Sequence, residues 1–246
     1  MTAVLVIAAS DSSGGAGLTR DVQVLAHFGC DPLCALPAVT AQTDAQVIAI
    51  HLVPAPVVTA QIAAAFADRR VGAIKIGMLG SGATVLAVSQ SLPPRAIVPL
   101  VLDPVLAASS GAALLDSEGM EALRTRLLPL TTLVTPNIPE AARLLGAAPA
   151  RTHEELERQA RALLDLGPAA VLLKGGHASG DTAADLLAVA GEPTRVFSAP
   201  RVRTALRGTG CALASAIAAG LAQGLVLAQA CEQGKRYVTK LLRARE

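Results

Sequence analysis

The chain has 246 residues, of which 52 % are hydrophobic, 16 % are charged and 2 % are aromatic. This balance excludes a disordered chain and indicates a core of Ala, Val, Leu and Ile, which suits helices packed closely on a parallel sheet. The net charge is +2 and no basic run occurs, which argues against nucleic acid as a partner because binding to a phosphate backbone needs clustered Lys and Arg. No signal-peptide pattern opens the chain, so we expect a cytoplasmic location.

The predicted elements alternate between short apolar strands and longer helices. We predict strands at residues 4–9, 33–39, 47–53, 73–76, 97–102, 133–134 and 170–173, and a β-hairpin made of residues 184–189 and 195–198. We predict helices at residues 18–28, 57–70, 83–92, 117–128, 139–145, 152–166, 211–227 and 229–245. This alternation predicts one α/β domain over residues 1–246, with a doubly wound, mainly parallel sheet and helices on both faces.

Residues 211–230 form the one candidate membrane segment. The run has 20 residues without a charge and contains the spacing Gly220-x-x-x-Gly224, which is typical of membrane helix dimers. Much of it is alanine, and Ser215, Gln223 and Gln229 interrupt it. We therefore interpret it as a helix buried within a soluble protein and expect no membrane partner.

Polar side chains follow several predicted strands. They are Asp11, Lys75, Asp103, Asn137 and Lys174, and the apolar Met78 lies at the same strand end as Lys75. Ligands of open α/β sheets bind beyond the carboxyl ends of the strands, so we expect these residues to share one site.

The segment Gly208-Thr209-Gly210-Cys211 leads into a predicted helix. Unpaired backbone N–H groups at a helix N-terminus bind anions such as phosphate. A thiol at that end should have its thiolate favoured, which would suit Cys211 as a base or nucleophile. A glycine-rich turn before a core helix with a buried cysteine explains the same segment equally well.

Two carboxylates and a lysine complete a candidate phosphate site. Asp103 and Glu140 offer the hard oxygen ligands that Mg²⁺ takes, through water, and Lys174 could reach phosphate oxygens. No P-loop sequence occurs, and the spacing of Gly14, Gly15 and Gly17 does not fit a dinucleotide fold. These residues predict phosphoryl transfer outside the P-loop class.

Together these motifs resemble the ribokinase-like superfamily, and within it the hydroxymethylpyrimidine/phosphomethylpyrimidine kinases of thiamine synthesis. The matching segments, in the family's order, are residues 9–17 with Asp21, 40–42, 75–79, 102–105, 135–140, 174–177 and 208–211. Sugar kinases of the superfamily carry aspartate where this chain has Cys211, so the cysteine favours the pyrimidine kinases or their pyridoxal-phosphorylating relatives. The resemblance implies ATP and Mg²⁺, a small aminopyrimidine alcohol or its phosphate as substrate, little or no separate lid, and a homodimer.

The resemblance also implies roles for individual residues. Cys211 would be the catalytic base, and the N–H groups of Gly208, Thr209 and Gly210 would stabilise the phosphoryl group. The substrate pocket would be lined by Gly14, Gly15, Gly17, Asp21, Gln42, Met78 and Val105. The nucleotide would contact Asn137, Lys174, Thr209 and Gly210, and the metal would bind Asp103 and Glu140. Simpler roles are a capping or surface carboxylate for Asp21, a core position for Met78 and a helix cap for Asn137.

Two segments depart from the family's pattern. After Gln42 the family has Asn-Thr and a later Gly, where this chain has Thr43, Asp44 and Gln46. Before Gly208 the family has Asn-Thr-His, whereas in this chain the residue directly before Gly208 is Arg207. These departures leave two alternatives open: a pyridoxal/pyridoxine (vitamin B6) kinase, and a non-catalytic pyrimidine-binding relative.

Overall fold

A computed structural model of the chain describes residues 1–108, 111–175, 181–204 and 206–245. The strands are β1 (Ala3–Ile7), β2 (Ser10–Asp11), β3 (Asp31–Ala35), β4 (Ala38–Gln42), β5 (Val47–Leu52), β6 (Val71–Ile76), β7 (Leu100–Leu102), β8 (Leu133–Val134), β9 (Ala170–Lys174), β10 (Thr182–Val189) and β11 (Arg195–Pro200). The α-helices are α1 (Gly17–His27), α2 (Ala55–Asp68), α3 (Gly82–Ser91), α4 (Ser117–Ala122), α5 (Ile138–Leu145), α6 (His153–Leu164), α7 (Thr209–Ala222) and α8 (Leu227–Arg243).

Eight strands form the central sheet, in the order β11-β10-β9-β8-β7-β6-β1-β3. The strands from β9 to β3 run parallel, whereas β10 pairs antiparallel with both β9 and β11. The mainly parallel sheet and the hairpin were both predicted from the sequence, and both predictions are confirmed.

Helices cover both faces of this sheet because its strands are apolar on both sides. Along β1, Leu5 and Ile7 pack into a core with α2, α3, α5 and α6, whereas Val4 and Val6 pack into a core with α1, α7 and α8. A strand buried on both faces reads as a continuous apolar run, which is the pattern that identified it in the sequence. The doubly wound arrangement follows from these two cores.

A second sheet of three short strands, in the order β2-β4-β5, corrects part of the prediction. The predicted strand at residues 33–39 is wrong, because the chain divides it between β3 in the central sheet and β4 in the small one. The break falls at Pro37, which has no N–H to donate, and the preceding N–H of Leu36 binds Oε1 of Gln61 at 2.9 Å. The predicted loop after β1 also contributes β2, which pairs with β4.

The uncharged run at residues 211–230 is divided between two helices. Helix α7 ends at Ala222 and α8 begins at Leu227, with Gly224 in a left-handed conformation between them. In the described part of the chain, no helix is long and apolar enough to cross a membrane. The residues of α7 from Ala212 to Gly220 are buried, so this apolar surface packs within the protein.

The predicted helix at residues 117–128 is also divided. Helix α4 is six residues long and continues as a π-helical turn, Leu123–Leu127, and a 3₁₀ turn, Leu128–Leu130. Pro129 lacks the N–H that a continued α-helix would use, which accounts for the change at the end of the segment.

Candidate active site

A cleft of about 1260 Å³ opens at the carboxyl ends of the central strands. It is bordered by nearly all of the predicted site residues: Gly14, Gly15, Gly17, Gln42, Met78, Asp103, Val105, Asn137, Glu140, Lys174, Gly208, Thr209, Gly210 and Cys211. Of the matching segment at residues 174–177, Gly176 and His177 lie outside the described residues. The sheet therefore brings residues from distant parts of the sequence to one place, as the strand-end positions predicted.

The turn before α7 is shaped to bind an anion. Gly208 caps the helix with φ at +74°, and a Cβ at this position would lie 2.4 Å from the carbonyl oxygen of Gly15. Only glycine fits this conformation and this close approach. The free N–H groups of the first helical turn follow directly, beside the cation and carboxylate described next.

Lys174 joins the two predicted metal ligands. Its Nζ lies 2.8 Å from Oδ1 of Asp103 and 3.9 Å from Oε2 of Glu140. Burial raises the pKa of Glu140 to about 7, with Lys174 lowering it and Asp103 raising it. Among the described residues, no group of three or more His, Cys, Asp or Glu side chains could hold a metal. The site therefore offers two carboxylates and a cation that balances them.

Asn137 caps α5 in a capping box. Its Oδ1 accepts a hydrogen bond from the N–H of Glu140 at 2.8 Å, and Oε2 of Glu140 accepts one from the N–H of Asn137 at 2.8 Å. The structural role considered from the sequence is therefore present. The same contacts orient Glu140 toward Lys174 at the edge of the cleft.

Cys211 lies in the first turn of α7, but its thiol is not activated as predicted. Burial raises its pKa to about 11; Lys75 and the N–H of Gly17 lower it, whereas Asp21 and Asp103 raise it. The direction of this pKa change is opposite to the one predicted from the position of the thiol at the helix end. The physical reason is that burial and the two nearby carboxylates raise the pKa more than Lys75 and the N–H of Gly17 lower it.

Asp21 does not border the cleft, contrary to its predicted place in the substrate pocket. Its side chain is completely buried, and its carboxylate accepts hydrogen bonds from Nζ of Lys75 at 2.6 Å and Oγ of Ser215 at 2.8 Å. It lies on the inner side of α1, where apolar neighbours such as Val24 are also buried. Asp21 therefore holds Lys75, which was expected in the site without a specific role and borders the cleft.

The predicted substrate wall combines the small sheet and the end of β6. Oε1 of Gln42, at the end of β4, accepts a hydrogen bond from Oγ1 of Thr40 at 3.2 Å. Met78 is 9 % exposed and packs in a small apolar cluster with Ala9, with Val105 against it. Met78 thus belongs both to the core and to the wall of the cleft, which combines the two interpretations from the sequence.

Arg207 is the functional candidate that the sequence left without a role. Its NH1 group donates to Oδ1 of Asp44 at 2.9 Å and to Oγ of Ser13 at 3.0 Å, and its NH2 group donates to Oδ2 of Asp11 at 3.1 Å. Arg207 and Asp44 stand in the two segments that depart from the family's pattern. One departure introduces a positive charge, at Arg207, and the other a negative charge, at Asp44. This opposite sign was the sequence signal from which their ion pair could have been predicted.

Comparisons with known proteins agree with this geometry. A family model described as phosphomethylpyrimidine kinase matches residues 11–246. A hydroxymethylpyrimidine/phosphomethylpyrimidine kinase of Rhizobium meliloti is 43 % identical over 243 residues, which span 97 % of this chain and 90 % of the relative. The Escherichia coli protein of the same name is 38 % identical over 239 residues, spanning 97 % of this chain and 90 % of the relative.

Solved structures show the same fold. The phosphomethylpyrimidine kinase of Clostridium difficile superimposes with a TM-score of 0.86 at 35 % identity, covering 98 % of this chain and 100 % of that chain. Bacillus subtilis pyridoxal kinase, solved with ADP, superimposes with a TM-score of 0.88 at 28 % identity, covering 97 % and 90 %. By sequence, fold and the residues gathered in its cleft, the chain belongs to the phosphomethylpyrimidine kinase family.

Proposed function

We propose that this protein transfers the γ-phosphoryl group of ATP to the hydroxymethyl group of 4-amino-5-hydroxymethyl-2-methylpyrimidine, to its monophosphate, or to both, as a cytoplasmic enzyme of thiamine biosynthesis. The whole chain would act as one ribokinase-like kinase domain. The observation that carries the proposal is the meeting, in one cleft, of an anion-binding helix end, Cys211, the Lys174–Asp103 pair and a wall with an amide and a thioether.

The acceptor would bind between the glycine-rich loop and the small sheet. Gln42 can pair with the edge of an aminopyrimidine, because its amide is both a donor and an acceptor. Met78 and Val105 offer a pliable apolar surface for a flat ring. Gly14, Gly15 and Gly17 would close the other side of this pocket, where side chains would reduce its width.

The nucleotide phosphates would lie at the start of α7. Thr209 and Gly210 would donate backbone hydrogen bonds, with Lys174 beside Gly210 and Asn137 next to Lys174. Mg²⁺ fits Asp103 and Glu140, because this ion is commonly held by one or two carboxylates with water and substrate phosphates. Burial raises the pKa of Glu140 to about 7, and a bound cation would favour its ionised form. When bound, the metal would balance charge on the phosphate oxygens.

Proton transfer would fall to Cys211. Its sulfur would take the proton of the acceptor hydroxyl as the oxygen attacks the γ-phosphorus, the bond to the β-phosphate breaks and ADP leaves. This step needs the thiolate: Lys75 and the N–H of Gly17 lower the pKa of Cys211, against the burial that raises it to about 11. The N–H groups of Gly208, Thr209 and Gly210 would hold the charge that develops on the phosphoryl oxygens.

A coupled assay of ADP release tests the proposal with the pyrimidine alcohol, its monophosphate and pyridoxal as separate acceptors. We expect turnover with one or both pyrimidines. Turnover with pyridoxal alone would favour the alternative of a vitamin B6 kinase, to which the fold is equally similar. Binding of the pyrimidine without turnover would favour a non-catalytic relative, although Asp103, Glu140 and Cys211 are groups that a simple binder does not need.

The variant Cys211→Ala separates chemistry from binding in this assay. We expect it to lose at least about 100-fold in kcat, the contribution typical of a positioned base, while calorimetric binding of the pyrimidine changes little. Cys34→Ala is the control, since Cys34 is exposed and does not border the cleft. An unchanged kcat in Cys211→Ala would remove the thiol from the mechanism.

We also propose that the protein is a homodimer joined through β5. This strand contains no charged residue and lies at the edge of the small sheet, with Ile48 63 % exposed and Leu52 41 % exposed. An apolar edge strand with free backbone groups pairs readily with another chain. A second copy of the same strand would cover its apolar side chains.

A further inference from the structure

Three loops of the cleft meet at one side chain, that of Arg207. The Arg207 clamp, as we name it, consists of Arg207 with Asp11, Ser13, Thr43 and Asp44. In addition to the contacts given above, NH1 of Arg207 donates to the carbonyl oxygen of Thr43 at 3.1 Å. The side chain of Arg207 is only 18 % exposed, so these contacts take up most of its surface.

Each loop in the clamp carries a different part of the cleft. Asp11 ends β2 and Ser13 lies in the glycine-rich loop that follows it, Thr43 and Asp44 follow Gln42, and Arg207 directly precedes the helix end at Gly208. The backbone at Gly208 also packs against the carbonyl oxygen of Gly15, so that two of the loops touch independently of Arg207. A change at Arg207 should therefore reach both the acceptor pocket and the anion-binding turn.

The two charged arms of the clamp differ in their access to water. The carboxylate of Asp11 is 6 % exposed, whereas that of Asp44 is 87 % exposed, and both lie about equally close to the guanidinium. Salt and water weaken an exposed ion pair far more than a buried one. The inner arm should therefore be strong, and the outer arm should be the one that opens and closes.

From this geometry we infer that Arg207 is a positioning residue with two roles. Through Asp44 it holds the segment that follows Gln42 over the acceptor pocket. Through Asp11 it aligns that pocket with the phosphate-binding turn. The inference rests on the proposed kinase function for its kinetic consequences. The outer arm should affect the KM of the acceptor, and the inner arm should affect kcat as well, because alignment of the two substrates controls the chemical step.

The test compares variants of the two arms with a matched control. Asp44→Asn should raise the KM of the uncharged pyrimidine alcohol about 2- to 5-fold at constant kcat, as expected for loss of an exposed ion pair. Arg207→Met should lower kcat at least about 10-fold in addition, because it removes the cation that pairs with the buried carboxylate of Asp11. In Arg207→Lys the loss of kcat should be smaller than in Arg207→Met, since the ammonium keeps the positive charge but cannot form the same two-armed contact. Arg69→Met is the control, because Arg69 forms a similar ion pair with Asp31, also at 3.1 Å, but does not border the cleft.

Salt provides a measurement that a merely structural role would leave unchanged. Between about 0.1 and 1 M salt, where the screening length falls from about 10 to 3 Å, the acceptor KM of the natural protein should rise toward that of Asp44→Asn. The KM of Asp44→Asn itself should stay level. Equal salt profiles for the two proteins, or a KM increase of the same size in Arg69→Met, would overturn the inference.

Hydrogen exchange keeps this inference separate from the proposed function. If the natural protein does not phosphorylate the pyrimidine, the proposed function fails, and the clamp is then judged by its loops alone. Amide exchange in residues 11–15, 42–46 and 206–209 should be faster in Arg207→Lys and Asp44→Asn than in the natural protein or in Arg69→Met. Unchanged exchange in these three segments would show that Arg207 does not hold them together.

Discussion

Cys211 shows how burial can outweigh position at the scale of one residue. A thiol in the first turn of a helix ordinarily ionises more easily, but burial and the charges of Asp21 and Asp103 raise the pKa of this one to about 11. The consequence is a thiol that is mostly protonated at neutral pH. Lys75 has the effect of limiting this rise.

The pH dependence of alkylation tests this electrostatic balance. Since the pKa of Cys211 lies near 11, its thiolate fraction and its rate of alkylation by iodoacetamide should increase about tenfold per pH unit between about pH 7 and 10. Mass spectrometry of the modified peptide measures this rate at each pH. A rate that levels off below about pH 8 would mean that the thiolate is favoured after all. Lys75→Met should slow the reaction further at a given pH.

Lys75 and Asp21 form a buried ion pair whose two halves depend on each other. Burial lowers the pKa of Lys75, but Asp21 and the other nearby negative groups more than compensate and raise it to about 12. Lys75→Met should destabilise the fold by about 3–5 kcal/mol, because it leaves Asp21 as a buried charge without its partner. Urea unfolding measures the change, and the double variant Lys75→Met with Asp21→Asn should recover part of it. A loss below about 1 kcal/mol in the single variant would contradict this account.

At the scale of elements, the N-terminal turn of α7 combines structure and chemistry. The helix lies between two glycines in the left-handed conformation, Gly208 before it and Gly224 after it. A Cβ at Gly208 would meet the backbone of Gly15, whereas no atom of the described residues lies within 4 Å of a Cβ at Gly224. A comparison of substitutions at the two positions therefore distinguishes the effect of backbone strain, which both share, from the effect of the close approach to Gly15, which only Gly208 has.

Alanine at these two glycines should have different effects. Gly224→Ala should cost about 1–2 kcal/mol of stability from its left-handed backbone and leave the KM of ATP unchanged. Gly208→Ala should displace the turn from Gly15, which lowers kcat and raises the KM of ATP beyond anything seen in Gly224→Ala. Urea unfolding and steady-state kinetics of both variants provide the comparison. Equal kinetics in the two variants would mean that the turn tolerates a side chain.

At the scale of the whole molecule, the small sheet extends the fold on one side and ends in β5. Ile48→Lys should convert the proposed homodimer into a monomer, because a lysine on this edge would have to be buried by the second copy. Size-exclusion chromatography with light scattering at micromolar concentration measures the state. Ile97→Lys is the control, since Ile97 is 70 % exposed and is not part of the small sheet. A natural protein that is already monomeric would contradict the proposal.

The overall fold and most of the cleft could be predicted from local pattern. Continuous apolar runs such as β1 identified strands buried on both faces, and the residues that follow these strands were expected at one edge of a parallel sheet. Asp103, Asn137 and Lys174 were placed in the cleft for this reason, and they border it. Family membership, predicted from the motifs, is confirmed by the family model and by the relatives.

The pairing of charged side chains in the site, and the pKa of its thiol, depend on tertiary contacts. The pairing of Asp21 with Lys75 joins residues 54 positions apart, and that of Arg207 with Asp11 joins residues 196 positions apart. Neither pair leaves a periodic signal, because the spacing depends on how distant elements pack. The raised pKa of Cys211 has the same origin, since burial and neighbouring carboxylates exist only in the folded chain. The chain thus encodes its layers in local pattern, whereas the ionisation of its thiol and the clamp across its cleft depend on how those layers pack.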